Sequence, residues 1–270
     1  MSGGRETFMP PDMLRRVLES APADVVLIGG QALAFWIGYY DIPEPDDIGP
    51  AISRDVDFFT CDAANSKPLA SFARAIGGRA IVQPPESITA LVGSAIAPAD
   101  DDGLYNVDLL HQVVGLDRAE IQAHAVEVRL PGSTTSIRVM HPVHVLQSRN
   151  ANLHALPSKQ DEIGGKQFAL AIAAARAYLE RRIDEIEGRK NVSERERQRA
   201  VLAAIRRVAE YSEEDAARKN AERYGLHLAD AIPAWRIRVP AFWDKQWPHL
   251  RQRMSVEYAQ ICERRRATAL

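Results

Sequence analysis

The feature that most constrains the fold of this 270-residue chain is a change of hydrophobic period near residue 140. Before it, apolar residues come in short, β-branched runs broken by Gly, Pro and Asp, with helical stretches between them. Such runs fit strands, whose side chains alternate between two faces. From Pro142 onward, apolar residues recur every three or four positions, as in Phe168, Ile172, Ala175, Leu179, Ile183 and Ile186. That spacing is one face of an α-helix. The expected architecture is α+β: a mixed sheet with flanking helices over 1–140, followed by an all-helical domain over 141–270.

Charge divides the chain at the same place. Residues 1–140 hold 10 Lys and Arg against 19 Asp and Glu, a net of −9, and residues 141–270 hold 24 against 17, a net of +7. An acidic half can collect cations, and a basic half can meet the phosphates of a nucleotide or of RNA. No apolar run approaches the roughly 20 residues of a membrane helix. The opening Met-Ser-Gly-Gly-Arg-Glu has no apolar segment behind it, so neither a signal peptide nor a membrane association is expected, and the expected location is the cytoplasm. Cys61 and Cys262 match no metal spacing and read as reduced thiols.

Along the first half the spacing predicts a helix at Met13–Ser20, a strand at Asp24–Ile28, a helix at Gln31–Tyr40 and a strand at Arg54–Thr60. The segment 41–51, with three prolines and four acids, reads as a loop. A helix is expected at Ala64–Ile76, and strands at 79–83, 88–93, 104–110, 124–130 and 135–140, the last two joined by a hairpin at Gly132-Ser-Thr-Thr. In the second half, Ser193-Glu-Arg-Glu196 reads as a capping box. Ser212-Glu-Glu-Asp215 reads as a helix start, Gly225 as its stop, and a last helix is expected from about Pro248 to Arg265.

Three features of the acidic half combine into a chemistry. Gly29-Gly30 stands between an apolar strand and a helix, where glycines let backbone approach a phosphate and free helical N–H groups favour an anion. Alone, such a pair is more often a tight turn. Asp55 and Asp57, two apart on one strand, project to one face, and their like charges favour a cation between them. Val56 and Phe58 then face the core. Asp108, alone among Val107, Leu109 and Leu110, is costly to bury without a partner.

The stretch Val26-Leu-Ile-Gly-Gly-Gln-Ala-Leu-Ala-Phe-Trp36, then Ser53-Arg-Asp-Val-Asp-Phe58, then the single acid Asp108, resembles the polymerase-β-like nucleotidyltransferase superfamily. Within it, the stretch looks like the bacterial branch that includes minimal nucleotidyltransferases and AbiEii/MenT-like toxins. The resemblance implies an Mg²⁺-dependent enzyme that moves a nucleoside monophosphate from an NTP such as ATP to a hydroxyl. It implies metal binding and catalysis by Asp55, Asp57 and Asp108, and nucleotide binding by Gly29, Gly30, Gln31 and Ser53. A basic residue after the catalytic domain, here Lys159, would touch the nucleotide; the competing reading of that segment is a solvated helix connection. The acceptor in such a family is an RNA 3′ end (a tRNA, for example), a protein side chain or a small molecule, and a toxin member would have an antitoxin partner.

Two departures stand out. Gly29-Gly30 replaces the more usual Gly-Ser, and 25 positions separate Gly30 from Asp55, the excess lying in the 41–51 loop. The alternative reading is a catalytically idle module on the same fold, against which the presence of both Asp55 and Asp57 counts. A dinucleotide-binding fingerprint fits poorly, because no third glycine follows Gly29-Gly30-Gln31-Ala32 at the needed offset. His141, His144 and His154 read as helix-start or surface histidines rather than ligands. Trp235, Trp243 and Trp247 read as packing residues before base-stacking ones, and Arg264-Arg265-Arg266 as a solvated helix end.

Overall fold

A computed structural model describes residues 6–43, 54–84, 86–100 and 102–269. Ser53 and most of the 41–51 loop lie outside them. The chain divides into two compact units: Met1–Phe35 with Pro45–Val145, and Trp36–Glu44 with Leu146–Leu270. The boundary expected at 140 thus falls five residues later, and a short segment after Phe35 joins the second unit.

Among the described residues the first unit has seven strands: β1 (Val26–Leu27), β2 (Val56–Phe59), β3 (Arg79–Val82), β4 (Leu91–Pro98), β5 (Leu104–Leu110), β6 (Val126–Arg129) and β7 (Ser136–Val139). They form one mixed sheet in the order β3-β4-β5-β2-β1-β7-β6. β2 runs parallel to β5, and β1 parallel to β7, while the other neighbours are antiparallel. Two helices, α1 (Pro11–Ser20) and α3 (Lys67–Ile76), pack on each other and on the sheet. Between β1 and β2 lies α2 (Gly29–Tyr39), which crosses from the first unit into the second at Trp36.

Around the acids, β2 and β5 bury alternate residues. Val56 and Phe58 of β2 and Val107 and Leu109 of β5 are all at most 1% exposed. Phe58 stacks on Phe72 of α3, ring centroids 4.5 Å apart. At about 25 cal/mol per Å² of apolar surface removed from water, side chains of this size each contribute roughly 1.5–3 kcal/mol. The intervening residues of β2 and β5, which include Asp57 and Asp108, take the other face by the same alternation.

Some expected elements shift. The strand predicted at 88–93 is β4 at Leu91–Pro98, whose small apolar residues carry no alternation to mark its ends. Part of the segment read as a strand from 124 belongs to α4 (Arg118–His124), capped by Asp117, whose carboxylate accepts from the N–H groups of Ala119 and Glu120. β6 and β7 do form the predicted hairpin, with Gly132 at φ 69° in the turn.

α5 (Pro142–Ala155) starts in the first unit and continues into the second from Leu146, where α6 (Glu162–Glu187), α7 (Glu194–Tyr211), α8 (Asp215–Tyr224), α9 (Trp247–Arg251) and α10 (Val256–Ala269) follow. No strand is found after Val139 among the described residues. The stripe from Phe168 to Ile186 is the buried face of α6. Ser193 and Glu196 form the capping box that starts α7. Ser212 is not the start of the next helix. It closes α7, its Oγ donating to the Ala209 carbonyl, and α8 begins three residues later. Gly225 ends α8 at φ 66°. The single last helix expected from Pro248 is two, α9 and α10, separated by Gln252–Ser255, where Asp230 accepts from the N–H and Oγ of Ser255.

Candidate active site

The sheet's central register brings the predicted acids together. Asp57 in β2 is the direct partner of Asp108 in the parallel strand β5, so the two side chains leave the sheet on one face. Asp55 sits in a bend just before β2. The three residues can offer carboxylate oxygens that all lie within 4.8 Å of one another, and each is partly exposed. Among the described residues no other group of three or more His, Cys, Asp or Glu side chains has such geometry.

Beside them, the start of α2 is fixed to β2. The Ile28 N–H donates to the Asp57 carbonyl at 2.9 Å. Gly29 then takes φ 68°, a left-handed conformation that a side chain disfavours. A Cβ there would also come 2.9 Å from Asp57 Cγ and closer still to Oδ2. Glycine is therefore required at 29 for two reasons, and the Asp57 carboxylate rests against the first residue of α2. The N-terminal end of a helix carries partial positive charge, which suits an anion. Gly30 is buried and Gln31 half-buried in the same turn.

Asp108 is half-buried and hydrogen-bonded. Burial pushes its carboxyl above the ordinary aspartate range; hydrogen bonds from Ser94 and Asn106 pull it back, and the nearby Asp55 charge pushes it up again. Ser94 Oγ donates to Asp108 Oδ1 at 2.5 Å. Neither Ser94 nor Asn106 stands out in the sequence. The one available signal was that Ser94 is the only polar side chain in β4.

Lys159 belongs to the second unit, in a short 3-10 turn Pro157–Lys159. Next to it, Asp161 caps α6 by accepting from the Gly164 N–H at 2.7 Å, and Gly164 packs so closely on the Lys159 carbonyl that no side chain would fit. His141 stands at the start of α5, its Nδ1 accepting from the Val143 N–H at 3.2 Å. His144, in the first turn of α5, is buried rather than on the surface. Trp243 and Trp247 are buried with rings 4.8 Å apart, and Trp243 Nε1 donates to the Ile237 carbonyl, so both pack the helical unit. The Arg264–Arg266 run is not simply solvated: the Arg265 and Arg266 guanidinium groups stack on Trp235 and Trp243, at 4.5 and 4.0 Å from the ring centroids. No helix among the described residues is long and apolar enough to cross a membrane.

Comparison of the chain with models of protein families and with curated proteins finds no match in either.

Proposed function

We propose that this chain is a nucleotidyltransferase, which moves a nucleoside monophosphate from an NTP to a hydroxyl with release of pyrophosphate. The observation that carries the reading is the convergence of Asp55, Asp57 and Asp108, with oxygens within 4.8 Å of one another, beside the Gly29 start of α2. Three carboxylates so close repel one another, and a cation relieves that repulsion. An all-oxygen set of aspartates suits a hard ion such as Mg²⁺, which also takes substrate phosphate oxygens. These residues therefore fit the metal that the nucleotidyltransferase resemblance implies.

Bound there, Mg²⁺ supplies Lewis-acid neutralisation of the triphosphate and a lower pKa for the acceptor hydroxyl. The chain's own groups have separable tasks. Asp55 and Asp57 hold the cation. Asp108 completes the set and is the carboxylate assigned to assist removal of the acceptor proton. The start of α2 at Gly29, Gly30 and Gln31 would receive the phosphates at the positive end of the helix, and Gly29, lacking a Cβ, lets backbone and carboxylate lie together.

The net +7 of residues 141–270 favours an RNA 3′ end as acceptor, with a protein side chain or a small molecule as the other classes. Toxin action with a cognate antitoxin belongs to this proposal through the AbiEii/MenT-like resemblance alone. An idle binding module would have no use for three carboxylates in mutual range. The experiment is incubation of the protein with each labelled NTP, Mg²⁺ and total RNA or cell lysate. Labelling of one class of molecule, abolished by chelation, is expected. Absence of label with every NTP and acceptor overturns the reading in favour of the idle module.

A further inference from the structure

We propose that Ser94 is a positioning residue for the metal site: its hydroxyl fixes the Asp108 carboxylate in the orientation that faces Asp55 and Asp57. The inference rests on the metal-site reading given above.

Three observations carry it. First, Ser94 is the only polar side chain of β4, Leu-Val-Gly-Ser-Ala-Ile-Ala-Pro, and it pairs in register with Asp108. Directly paired residues in antiparallel strands share a face. Because Asp108 pairs in turn with Asp57, the residues Ser94, Asp108 and Asp57 form a row across three adjacent strands.

Second, that register depends on an irregularity. Leu91 pairs with Leu110, but Gly93 pairs with Leu109, so the ladder slips by one residue around Val92. Continued without the slip, the Leu91–Leu110 register would set Gly93 opposite Asp108 and Ser94 opposite the buried Val107. Bulges of this kind re-aim side chains near functional sites. Here the bulge delivers the hydroxyl to the acid.

Third, the position is held firmly. A Cβ on Gly93 would run into the Ile81 carbonyl of β3 and come 2.6 Å from Leu69 Cδ1 of α3, so β4 is pinned immediately before Ser94. The Ser94 Oγ to Asp108 Oδ1 distance of 2.5 Å is at the short end for a hydroxyl on a carboxylate. A ligand held by such an outer partner loses little freedom on binding metal, and removing the partner typically weakens metal affinity by about 10- to 100-fold.

The test measures Mn²⁺ binding to the full chain by calorimetry and by electron paramagnetic resonance, for wild type, Ser94→Ala, Ser94→Thr and Asp108→Asn. The account expects Ser94→Ala to bind Mn²⁺ about 10-fold more weakly and to need more Mg²⁺ for half-maximal activity, with the rate at saturating Mg²⁺ largely kept. Ser94→Thr, which retains the hydroxyl, restores binding. Ser94→Cys, similar in volume but a weak donor, carries the alanine expectation should the alanine variant fold poorly. Wild-type affinity in Ser94→Ala together with a loss in Asp108→Asn overturns the role of Ser94 and leaves the site standing. A loss in Ser94→Ala that threonine does not restore also overturns it, as a packing effect. Wild-type affinity in Asp108→Asn overturns the metal-site reading itself.

Discussion

Gly29 and Asp57 occupy space that only one side chain can fill: a Cβ on Gly29 would stand 2.9 Å from Asp57 Cγ and nearer still to its Oδ2. Substitution at either position is therefore felt at the other. Gly29→Ala should destabilise the protein by about 1–3 kcal/mol, from the left-handed backbone alone and then from the collision. In an Asp57→Ala background the collision with the carboxylate is gone, leaving the backbone strain and a 3.0 Å approach to the retained Cβ of residue 57, so Gly29→Ala should cost less there. A double-mutant cycle in chemical denaturation measures the difference, expected to exceed roughly 0.5 kcal/mol. Strict additivity would mean that the two residues do not share this space.

Asp108 gives the metal-free protein a particular pH dependence. Its folded-state carboxyl titrates above the ordinary aspartate value of 3.8. Between those two points the folded chain holds a proton that the unfolded chain has released, so stability falls as pH rises. The contribution is complete below about 3.8 and is lost as pH climbs through the raised value. The wild type minus Asp108→Asn stability difference, followed by denaturation in chelator, should therefore decline with increasing pH from about 4 upward. A difference that grows with pH over that window would show that Asp108 is stabilised as the anion.

Much of this site was legible in the sequence, for a physical reason. A charged residue inside a run otherwise fit for burial is conspicuous, and that picked out Asp108 in Leu104–Leu110, whose strand limits were also read correctly. Asp55 and Asp57 were legible because side chains two apart on an extended chain share a face, although β2 itself starts only at Val56. What was not legible is set by pairing between strands. Ser94 reaches Asp108 only through a one-residue slip in the β4–β5 ladder, and no local pattern encodes a register slip. The end of β4 is as poorly marked: Gly93-Ser-Ala-Ile-Ala97 has Ile96 as its one strong β-former, so the sequence pattern points to 88–93 instead. The short α4 was masked by its length, despite the Asp117 cap. The close contact of Gly29 with Asp57 likewise depends on tertiary position, so that Gly29-Gly30 read only as a possible phosphate turn.

The two thiols should behave differently. Cys61 is exposed, whereas Cys262 is buried and burial pushes its thiol up to about 11. The thiolate is the reactive form, so at neutral pH Cys262 has almost none of it. A thiol reagent should modify one cysteine quickly and the second only on unfolding, and Cys61→Ser should abolish the fast phase. Two fast thiols in the native protein would contradict the packing of α10 around Cys262.

Asp57→Asn tests the central claim most directly, in a transfer assay with two labels. Wild-type protein, Mg²⁺ and the acceptor fraction are incubated with NTP labelled at the α-phosphate or at the γ-phosphate. The account predicts that the α-label enters the acceptor and the γ-label leaves as pyrophosphate. It predicts that Asp57→Asn lowers transfer by at least about 100-fold, since metal and electrostatic terms supply much of such catalysis. The same variant should be no less stable than wild type in chelator, one of three mutually repelling charges having been removed. Transfer of the γ-label, or equal α-label transfer by wild type and Asp57→Asn, would contradict a nucleotidyltransferase site at Asp55, Asp57 and Asp108.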